Sequence, residues 1–250
     1  MRILISNDDG FYAPGIKALI NVLGKEHELY IVAPSEQQSA MSHALTLNFP
    51  IRVREIESDR YEKGWAVDGT PADCVKLALE ELLDFRPDYI LSGINNGPNL
   101  GSDVMYSGTV SAAAEGTLLG IPAMAISLCG YGHEEFTDAA RAVKSVIDNF
   151  LSQPQEGNIL VNVNIPNVEL KDIKGARATS LGNVVYRKPF EKRTDPRGKI
   201  YYWLAGDIIY DDNNEDSDVM TVHEGFISVT PMHYNQTCNE TVEVFKTRNF

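Results

Sequence analysis

Short apolar runs alternate with amphipathic segments through the first two-thirds of the chain. Five runs predict buried strands, at residues 3–6, 29–33, 89–93, 123–127 and 159–164. Between them, apolar residues recur at helical spacing and predict helices that begin at Pro14, Pro71 and Thr137. Strands that alternate with helices in this way form a mostly parallel sheet with right-handed crossovers. The pattern therefore predicts a three-layer, doubly wound α/β fold.

The last third of the chain is richer in strand-forming residues. Residues 184–192 and 199–209 carry many aromatic and β-branched side chains, and they flank the turn sequence Asp195-Pro196-Arg197-Gly198. We predict a long C-terminal β-hairpin here, which either contacts another subunit or folds back on its own. The acidic stretch 211–218 lacks the glycine and the closing glutamate of a calcium loop, so we interpret it as a solvated loop.

Composition narrows the class of protein. A length of 250 residues suits one large α/β domain, and a net charge of −13 argues against a nucleic-acid-binding surface. Cys74, Cys129 and Cys238 are odd in number and form no C-x-x-C pair, which predicts reduced thiols. The sequence has neither a signal-peptide pattern nor an apolar run long enough to span a bilayer, so we expect a cytoplasmic protein without a membrane partner.

Two adjacent carboxylates follow the first predicted strand directly. Asp8 and Asp9 lie in the turn sequence Asn7-Asp8-Asp9-Gly10. The carboxyl ends of strands are where ligands bind in open α/β sheets. Two neighbouring carboxylates repel each other, and a divalent cation would compensate them if they were even partly buried. A solvated Asp-Asp-Gly turn is the alternative for this segment taken alone.

Two further polar segments follow strands and therefore belong at the same edge of the sheet. Asn95 and Asn96 lie in the Asn- and Gly-rich segment 92–101, where side-chain amides offer oxygen to a cation and protons to an anion. Ser39 lies in the hydroxyl-rich loop 34–42 after the second strand. Ordinary surface loops are the alternative in both cases.

Residues 107–114 combine hydroxyls and small residues at a predicted helix start. Three residues beyond the candidate caps Ser107 and Thr109, the chain has Val110 and Ala112 in place of the usual glutamate or glutamine. We therefore expect no carboxylate at the positive end of this helix, which leaves its free N–H groups available to a phosphate. An ordinary helix cap is the alternative, and Glu115 is interpreted as a structural or solvated side chain.

Together these segments closely resemble the SurE family of survival-protein nucleotidases, and the resemblance spans essentially the whole chain. The matching segments are Asn7-Asp8-Asp9-Gly10, Ser39 in its polar loop, Val67-Asp68-Gly69-Thr70-Pro71-Ala72-Asp73-Cys74-Val75, Ser92-Gly93-Ile94-Asn95-Asn96-Gly97, Tyr106-Ser107-Gly108-Thr109-Val110 and Glu224-Gly225-Phe226-Ile227-Ser228-Val229-Thr230-Pro231. Residues 189–217, in the hairpin and the acidic loop, match least.

The resemblance implies one domain over residues 1–250 with a Rossmann-like core, acting as a metal-dependent phosphatase on nucleoside monophosphates. It implies one Mg²⁺ or Mn²⁺ per subunit, with four ligands: Asp8, Asp9, Ser39 and Asn95. It also implies activity on 3′-nucleotides and short polyphosphate, and homodimers or homotetramers in which the C-terminal region, including the hairpin at about 184–210, exchanges between subunits.

The donor chemistry agrees with this reading, because two carboxylates, a hydroxyl and an amide suit a hard cation. We expect the phosphate to be bound by Asn96, Ser107, Gly108 and Thr109, with Asn96 and Ser107 also catalytic and with Asp8 or Asp9 accepting a proton from the attacking water. A phosphatase of the haloacid-dehalogenase type is disfavoured, since its aspartates are separated by one residue. A non-catalytic nucleotide-binding stress protein is the other alternative, but a pure phosphate binder gains nothing from two carboxylates without a metal.

Overall fold

The computed structural model describes residues 1–152, 159–210 and 214–248. In chain order the strands are β1 (Arg2–Ser6), β2 (Glu28–Pro34), β3 (Val53–Glu55), β4 (Lys63–Val67), β5 (Tyr89–Asn96), β6 (Ala123–Leu128), β7 (Leu160–Ile165), β8 (Ala176–Ala178), β9 (Val184–Arg187), β10 (Phe190–Thr194), β11 (Ile200–Leu204), β12 (Asp207–Tyr210) and β13 (Ile227–Met232). The α-helices are α1 (Pro14–Leu23), α2 (Pro71–Leu77), α3 (Gly108–Leu118), α4 (Thr137–Ser152), α5 (Asp218–His223) and α6 (Asn239–Lys246).

Nine of these strands form one central sheet in the order β3-β4-β2-β1-β5-β6-β7-β13-β8. Strand β1 pairs in parallel with β2 on one side and with β5 on the other. The carboxyl end of β1 therefore lies between the carboxyl ends of these two strands. Only β3 against β4 and β13 against β7 run antiparallel in this sheet. The predicted mostly parallel sheet is therefore confirmed, with all five predicted strands in it.

Alternate residues of β1 pack into two cores on opposite faces of the sheet. Ile3 and Ile5 belong to the core that α1 and α4 cover, whereas Leu4 belongs to the core that α2 and α3 cover. Side chains of a strand alternate between the two faces, and burial on both faces explains the continuous apolar run. The three-layer prediction is confirmed by this arrangement.

The helix predicted to begin at Pro71 is divided in the structure. Helix α2 ends at Leu77, and a π-helical turn, Ala78–Leu82, continues the chain. Thr70 and Asp73 form a capping box at its start, in which Thr70 accepts a hydrogen bond from the backbone N–H of Asp73 and Asp73 accepts one from Thr70. None of the helices in the described ranges has both the length and the apolarity needed to cross a bilayer.

The predicted hairpin is confirmed and lies outside the central sheet. Strand β10 pairs antiparallel with β11, and β9 pairs antiparallel with β12. Large apolar side chains of this hairpin are exposed, among them Phe190, Tyr202, Trp203 and Leu204. Of the acidic stretch 211–218, residues 211–213 lie outside the described residues. In the remainder, Ser217 caps α5 by accepting a hydrogen bond from the N–H of Met220.

Candidate active site

The turn that carries Asp8 and Asp9 is held by its own side chains. Asn7 donates from Nδ2 to the carbonyl of Gly10 (2.9 Å) and accepts from the N–H of Gly10 (3.1 Å). Asn7 is buried, so the turn is fixed from within the sheet edge and not from solvent. Asp8 is only 5% exposed, and Asp9 is partly exposed. The solvated-turn alternative is therefore wrong for Asp8.

Asp8 lies directly against the start of α3. The hydroxyl of Thr109 donates a hydrogen bond to Oδ1 of Asp8. A Cβ placed on Gly108 would lie 2.8 Å from Cβ of Asp8 and 3.0 Å from its Oδ2, so only glycine lets the helix approach this closely. The expectation of a helix start without a carboxylate is wrong, because the strand supplies the carboxylate that the helix itself lacks.

The carboxylate pair carries more negative charge than its surroundings neutralise. Burial raises the pKa of Asp8 to about 6, and the charge of Asp9 adds to this, whereas the Thr109 hydrogen bond opposes it. Burial likewise raises the pKa of Asp9, against hydrogen bonds from Asn96 and Gln37. A raised pKa on two adjacent carboxylates, with oxygen donors beside them, fits a site for a hard divalent cation.

A glutamine that the sequence analysis did not select joins Asp9 to Ser39. Nε2 of Gln37 donates to Oδ1 of Asp9 (3.2 Å) and to Oγ of Ser39 (2.9 Å). The N–H of Gln38 donates to the carbonyl of Asp8 (2.7 Å), which fixes the start of this loop on the aspartate turn. The predicted ligand Ser39 is thus brought to the carboxylates, although it lies in an exposed loop. Gln37 had no signal beyond its place in a polar loop.

The two asparagines at the end of β5 are held differently. The backbone N–H of Asn96 donates to Oδ2 of Asp9 (2.9 Å), and its side-chain amide pairs reciprocally with the backbone N–H and carbonyl of His133 (3.2 and 3.1 Å). Nδ2 of Asn95 donates to the carbonyl of Gly97 (2.9 Å). Within the described chain no hydrogen bond reaches Oδ1 of Asn95, so this oxygen is available to a cation. The pairing of β5 with β6 shifts register between Ser92 and Asn95, an irregularity of the kind that re-aims side chains near strand ends.

Ser107 is the N-cap of α3. Its Oγ accepts a hydrogen bond from the N–H of Val110 (3.1 Å), and its side chain is buried. A hydroxyl that accepts one bond still donates its own proton, so the cap and the predicted phosphate contact are compatible. The N–H groups of Gly108 and Thr109 lie in the first turn, where a helix has no internal acceptors for them.

The eight predicted site residues therefore meet at one edge of the sheet. Direct contacts join Asp8 to Gly108 and Thr109, and join Asp9 to Asn96. Ser39 joins the group through Gln37. Asn95 and Ser107 follow as chain neighbours, without a recorded contact to either carboxylate in the described chain. The ligand and phosphate roles of these residues stay predictions.

A second cluster of potential ligands in the described residues consists of Glu26, His27 and Asp148, whose ligand atoms lie within 4.8 Å of one another. Lys144 already donates to Glu26 (3.0 Å) and to Asp148 (2.8 Å). Its ammonium group supplies the positive charge that a cation would otherwise bring. We therefore interpret this cluster as a surface ion-pair group.

Comparisons with known proteins identify the family of this chain. A family model described as Survival protein SurE matches residues 3–188. The chain is 48% identical to 5′-nucleotidase SurE of Pelotomaculum thermopropionicum, over 98% of this chain and 94% of the relative. It is 48% identical to 5′-nucleotidase SurE of Carboxydothermus hydrogenoformans, over 99% and 96%. The crystal structure of the SurE protein from Aquifex aeolicus aligns with a TM-score of 0.87 at 38% identity and covers 98% of both chains. The resemblance inferred from the motifs is confirmed, and the chain belongs to the SurE family.

Proposed function

We propose that this protein is a metal-dependent phosphomonoesterase that hydrolyses nucleoside 5′-monophosphates to nucleoside and phosphate. The observation that carries the proposal is the buried carboxylate of Asp8 against the start of α3, next to Asp9. This arrangement supports a cation site and a phosphate site that would lie side by side. The 5′-nucleotidase names of relatives that match almost the whole chain support the same reaction and bear out the expectation of an enzyme.

The cation in this proposal is one Mg²⁺ or Mn²⁺ per subunit, bound by Asp8, Asp9, Ser39 and Asn95. The all-oxygen donor set supports a hard cation, and the raised pKa values of the two aspartates indicate a charge that a cation would offset. When bound, the metal supplies Lewis-acid polarisation of a phosphoryl oxygen and lowers the pKa of a coordinated water.

The remaining steps belong to the side chains and amides of this protein. The N–H groups of Gly108 and Thr109 and the hydroxyl of Ser107 bind the phosphoryl oxygens at the positive end of α3, beside the Asp8 carboxylate that the Thr109 N–H also contacts. Asn96 has a second Nδ2–H beyond the one bonded to the His133 carbonyl, and this N–H donates a hydrogen bond to the phosphoryl group as charge develops there. The aspartate pair orients the attacking water, and one of the two carboxylates accepts its proton. The water oxygen then bonds to phosphorus in line with the bond to the nucleoside oxygen, which breaks, and the nucleoside oxygen takes up a proton from solvent to leave as the free hydroxyl.

The substrate range and the assembly are extensions of the same proposal. Nucleoside 3′-monophosphates and short polyphosphate present the same terminal phosphoryl group, so we include them among the substrates. We also propose that the protein forms homodimers or homotetramers through the hairpin over β9–β12. The exposed Trp203 and Leu204 of this hairpin support that role.

The test is phosphate release from AMP by the purified protein with Mn²⁺ or Mg²⁺. We expect turnover that EDTA abolishes and that added metal restores, and a panel with 3′-AMP and short polyphosphate defines the range. A protein that binds AMP in the presence of metal but releases no phosphate would instead support the nucleotide-binding alternative. Asp8→Asn, which keeps the shape of the side chain, should lose nearly all metal-dependent turnover.

A further inference from the structure

Glu115 is a buried carboxylate that the proposed reaction does not use. It lies in α3 and is only 4% exposed, yet it accepts two hydrogen bonds from other parts of the chain. Nζ of Lys76 in α2 donates to Oε1 (2.8 Å), and Nε2 of His43 contacts Oε2 (2.8 Å). The hydrogen bond from His43 is the main cause that keeps the pKa of Glu115 below its ordinary value, against burial. Because an ionised carboxylate only accepts, Nε2 of His43 carries the proton.

His43 belongs to the loop that carries Ser39. Further along this loop, Thr70 of the α2 cap donates to the carbonyl of Ala44 (2.7 Å). The N–H of Thr46 donates to the carboxylate of Asp73 (3.1 and 3.2 Å). The segment 43–46 is therefore fastened to both α2 and α3 by side chains of those helices.

The first part of the loop is fastened at two places that flank Ser39. On one side, the N–H of Gln38 donates to the carbonyl of Asp8. On the other side, Ser42 donates from its N–H to Tyr106 (3.0 Å) and from its hydroxyl to Met105 (2.7 Å). Both Ala40 and Ser42 have positive φ (56° and 52°), a backbone region that side chains disfavour and that neighbouring contacts must maintain.

Several contacts described above join the loop to α2 and α3. The contact between His43 and Glu115 is the one among them that joins a loop side chain to an ionised, buried carboxylate. Charge-assisted hydrogen bonds of this kind are stronger than hydrogen bonds between neutral groups. We propose that Glu115 is a positioning residue that, through His43, holds the Ser39 loop in the conformation required at the candidate cation site. The contacts alone support the inference that Glu115 holds the loop. The expected effect of Glu115 on cation affinity rests on the proposed function. Residues that orient metal ligands in this way commonly change affinity when replaced.

The first measurement needs no metal and no substrate. Hydrogen exchange is followed at the amides of Ser42 and Thr46 in wild type, Glu115→Gln and His43→Ala. We expect exchange at both amides to accelerate about tenfold in each variant, with the protection of β1 and β5 unchanged. His43→Gln retains a side-chain N–H donor and should restore most of the protection. Unchanged exchange at Ser42 and Thr46 in His43→Ala would overturn the proposal.

The second measurement is the dissociation constant for Mn²⁺, determined by titration calorimetry with the same proteins. We expect a rise of about tenfold in His43→Ala and Glu115→Gln, and a combined variant that is no worse than either single one. The matched control is Lys76→Met, which removes the solvent-exposed partner of the same carboxylate and should change the constant by less than about twofold.

The outcomes separate the inference from the proposed function. If Lys76→Met weakens Mn²⁺ binding as much as His43→Ala, Glu115 serves the packing of α2 on α3 and the inference fails. If Glu115→Gln does not fold, the His43 variants still decide, because His43 is on the surface side of the pair. If the wild type neither binds Mn²⁺ nor hydrolyses AMP, the proposed function fails, and the exchange rates alone decide whether Glu115 holds the loop.

Discussion

Asp8→Asn should have opposite effects on the stability of the metal-free protein and on its response to metal. The carboxylate of Asp8 is buried beside a second carboxylate, and its pKa is raised from 3.8 to about 6. A carboxyl group whose pKa is higher in the folded than in the unfolded protein destabilises the fold where it is ionised. This penalty is absent below pH 3.8, grows as the pH rises, and is complete above about pH 6.

The magnitude follows from the size of the shift. At about 1.4 kcal/mol per pKa unit, the ionised carboxylate costs about 3 kcal/mol at pH 8 and about half of this at pH 5. Asparagine removes this cost and keeps an oxygen for the Thr109 hydroxyl, but its Nδ2 lies beside Gly108 and costs about 1–2 kcal/mol if it finds no acceptor. We therefore expect the metal-free variant to be more stable by about 1–2 kcal/mol at pH 8.

Thermal unfolding in EDTA at pH 8 and pH 5 measures this difference. For a domain of this size, the expected gain raises Tm by about 2–8 °C at pH 8, and the gain shrinks at pH 5. Adding Mn²⁺ should raise the Tm of the wild type in proportion to the logarithm of its concentration and leave Asp8→Asn unchanged. A metal-free variant that melts at or below the wild type at pH 8 would refute the reasoning, since it would mean that the carboxylate is already compensated by the protein.

Three further substitutions test other parts of the structure. Gly108→Ala would place a Cβ 2.8 Å from Cβ of Asp8. We therefore expect kcat/KM for AMP to fall about 100-fold while the circular dichroism spectrum stays unchanged. Wild-type kinetics in this variant would contradict the close approach of Gly108 to Asp8. Trp203 is 58% exposed on the hairpin, as expected of a side chain that contacts another subunit. Trp203→Ser should therefore shift the sedimentation coefficient towards that of the monomer. A monomeric wild type would exclude the proposed hairpin contact. Asn164→Ala removes the acceptor of the buried Asn99 N–H (2.8 Å) and one of two donors to the Asn99 carbonyl, which keeps its bond from Asn162 (2.8 Å). The unpaired N–H should cost about 1–2 kcal/mol in urea unfolding, and a loss below about 0.5 kcal/mol would contradict this.

Much of the fold was predictable because burial on both faces leaves a strong signal. The five core strands are continuous apolar runs, and helices begin at Pro14, Pro71 and, just after Phe136, at Thr137. Strands β3 and β8 were not predictable in the same way, because each has three residues and all of them are exposed. The change from α2 to the π-helical turn was likewise not predictable, because the spacing of apolar residues continues through it unchanged.

The site was predictable as a set of segments, because parallel strands bring their carboxyl ends to one edge. The contacts within the set were not predictable. The spacing of residues within a segment does not reveal contacts with a distant segment. The packing of Asp8, which follows β1, against the start of α3 is such a contact and could not be predicted. The reciprocal pair between Asn96 and the His133 backbone was missed for the same reason. For Glu115 the sequence predicts a structural or a solvated side chain. The structure shows it buried and adds the partner, His43, that connects it to the Ser39 loop.

The contacts that assemble the site join segments far apart along the chain. Thr109 and Asp8 are 101 positions apart, and Asn96 and Asp9 are 87 apart. A hairpin or a helix formed early in folding contains none of these contacts, so a partly folded chain offers a cation the adjacent Asp8 and Asp9 without the groups from β5 and α3 that position them. Cation binding at this edge would therefore select molecules in which β1, β5 and α3 have already docked. For this protein, metal occupancy would report on completed folding as much as on readiness for catalysis.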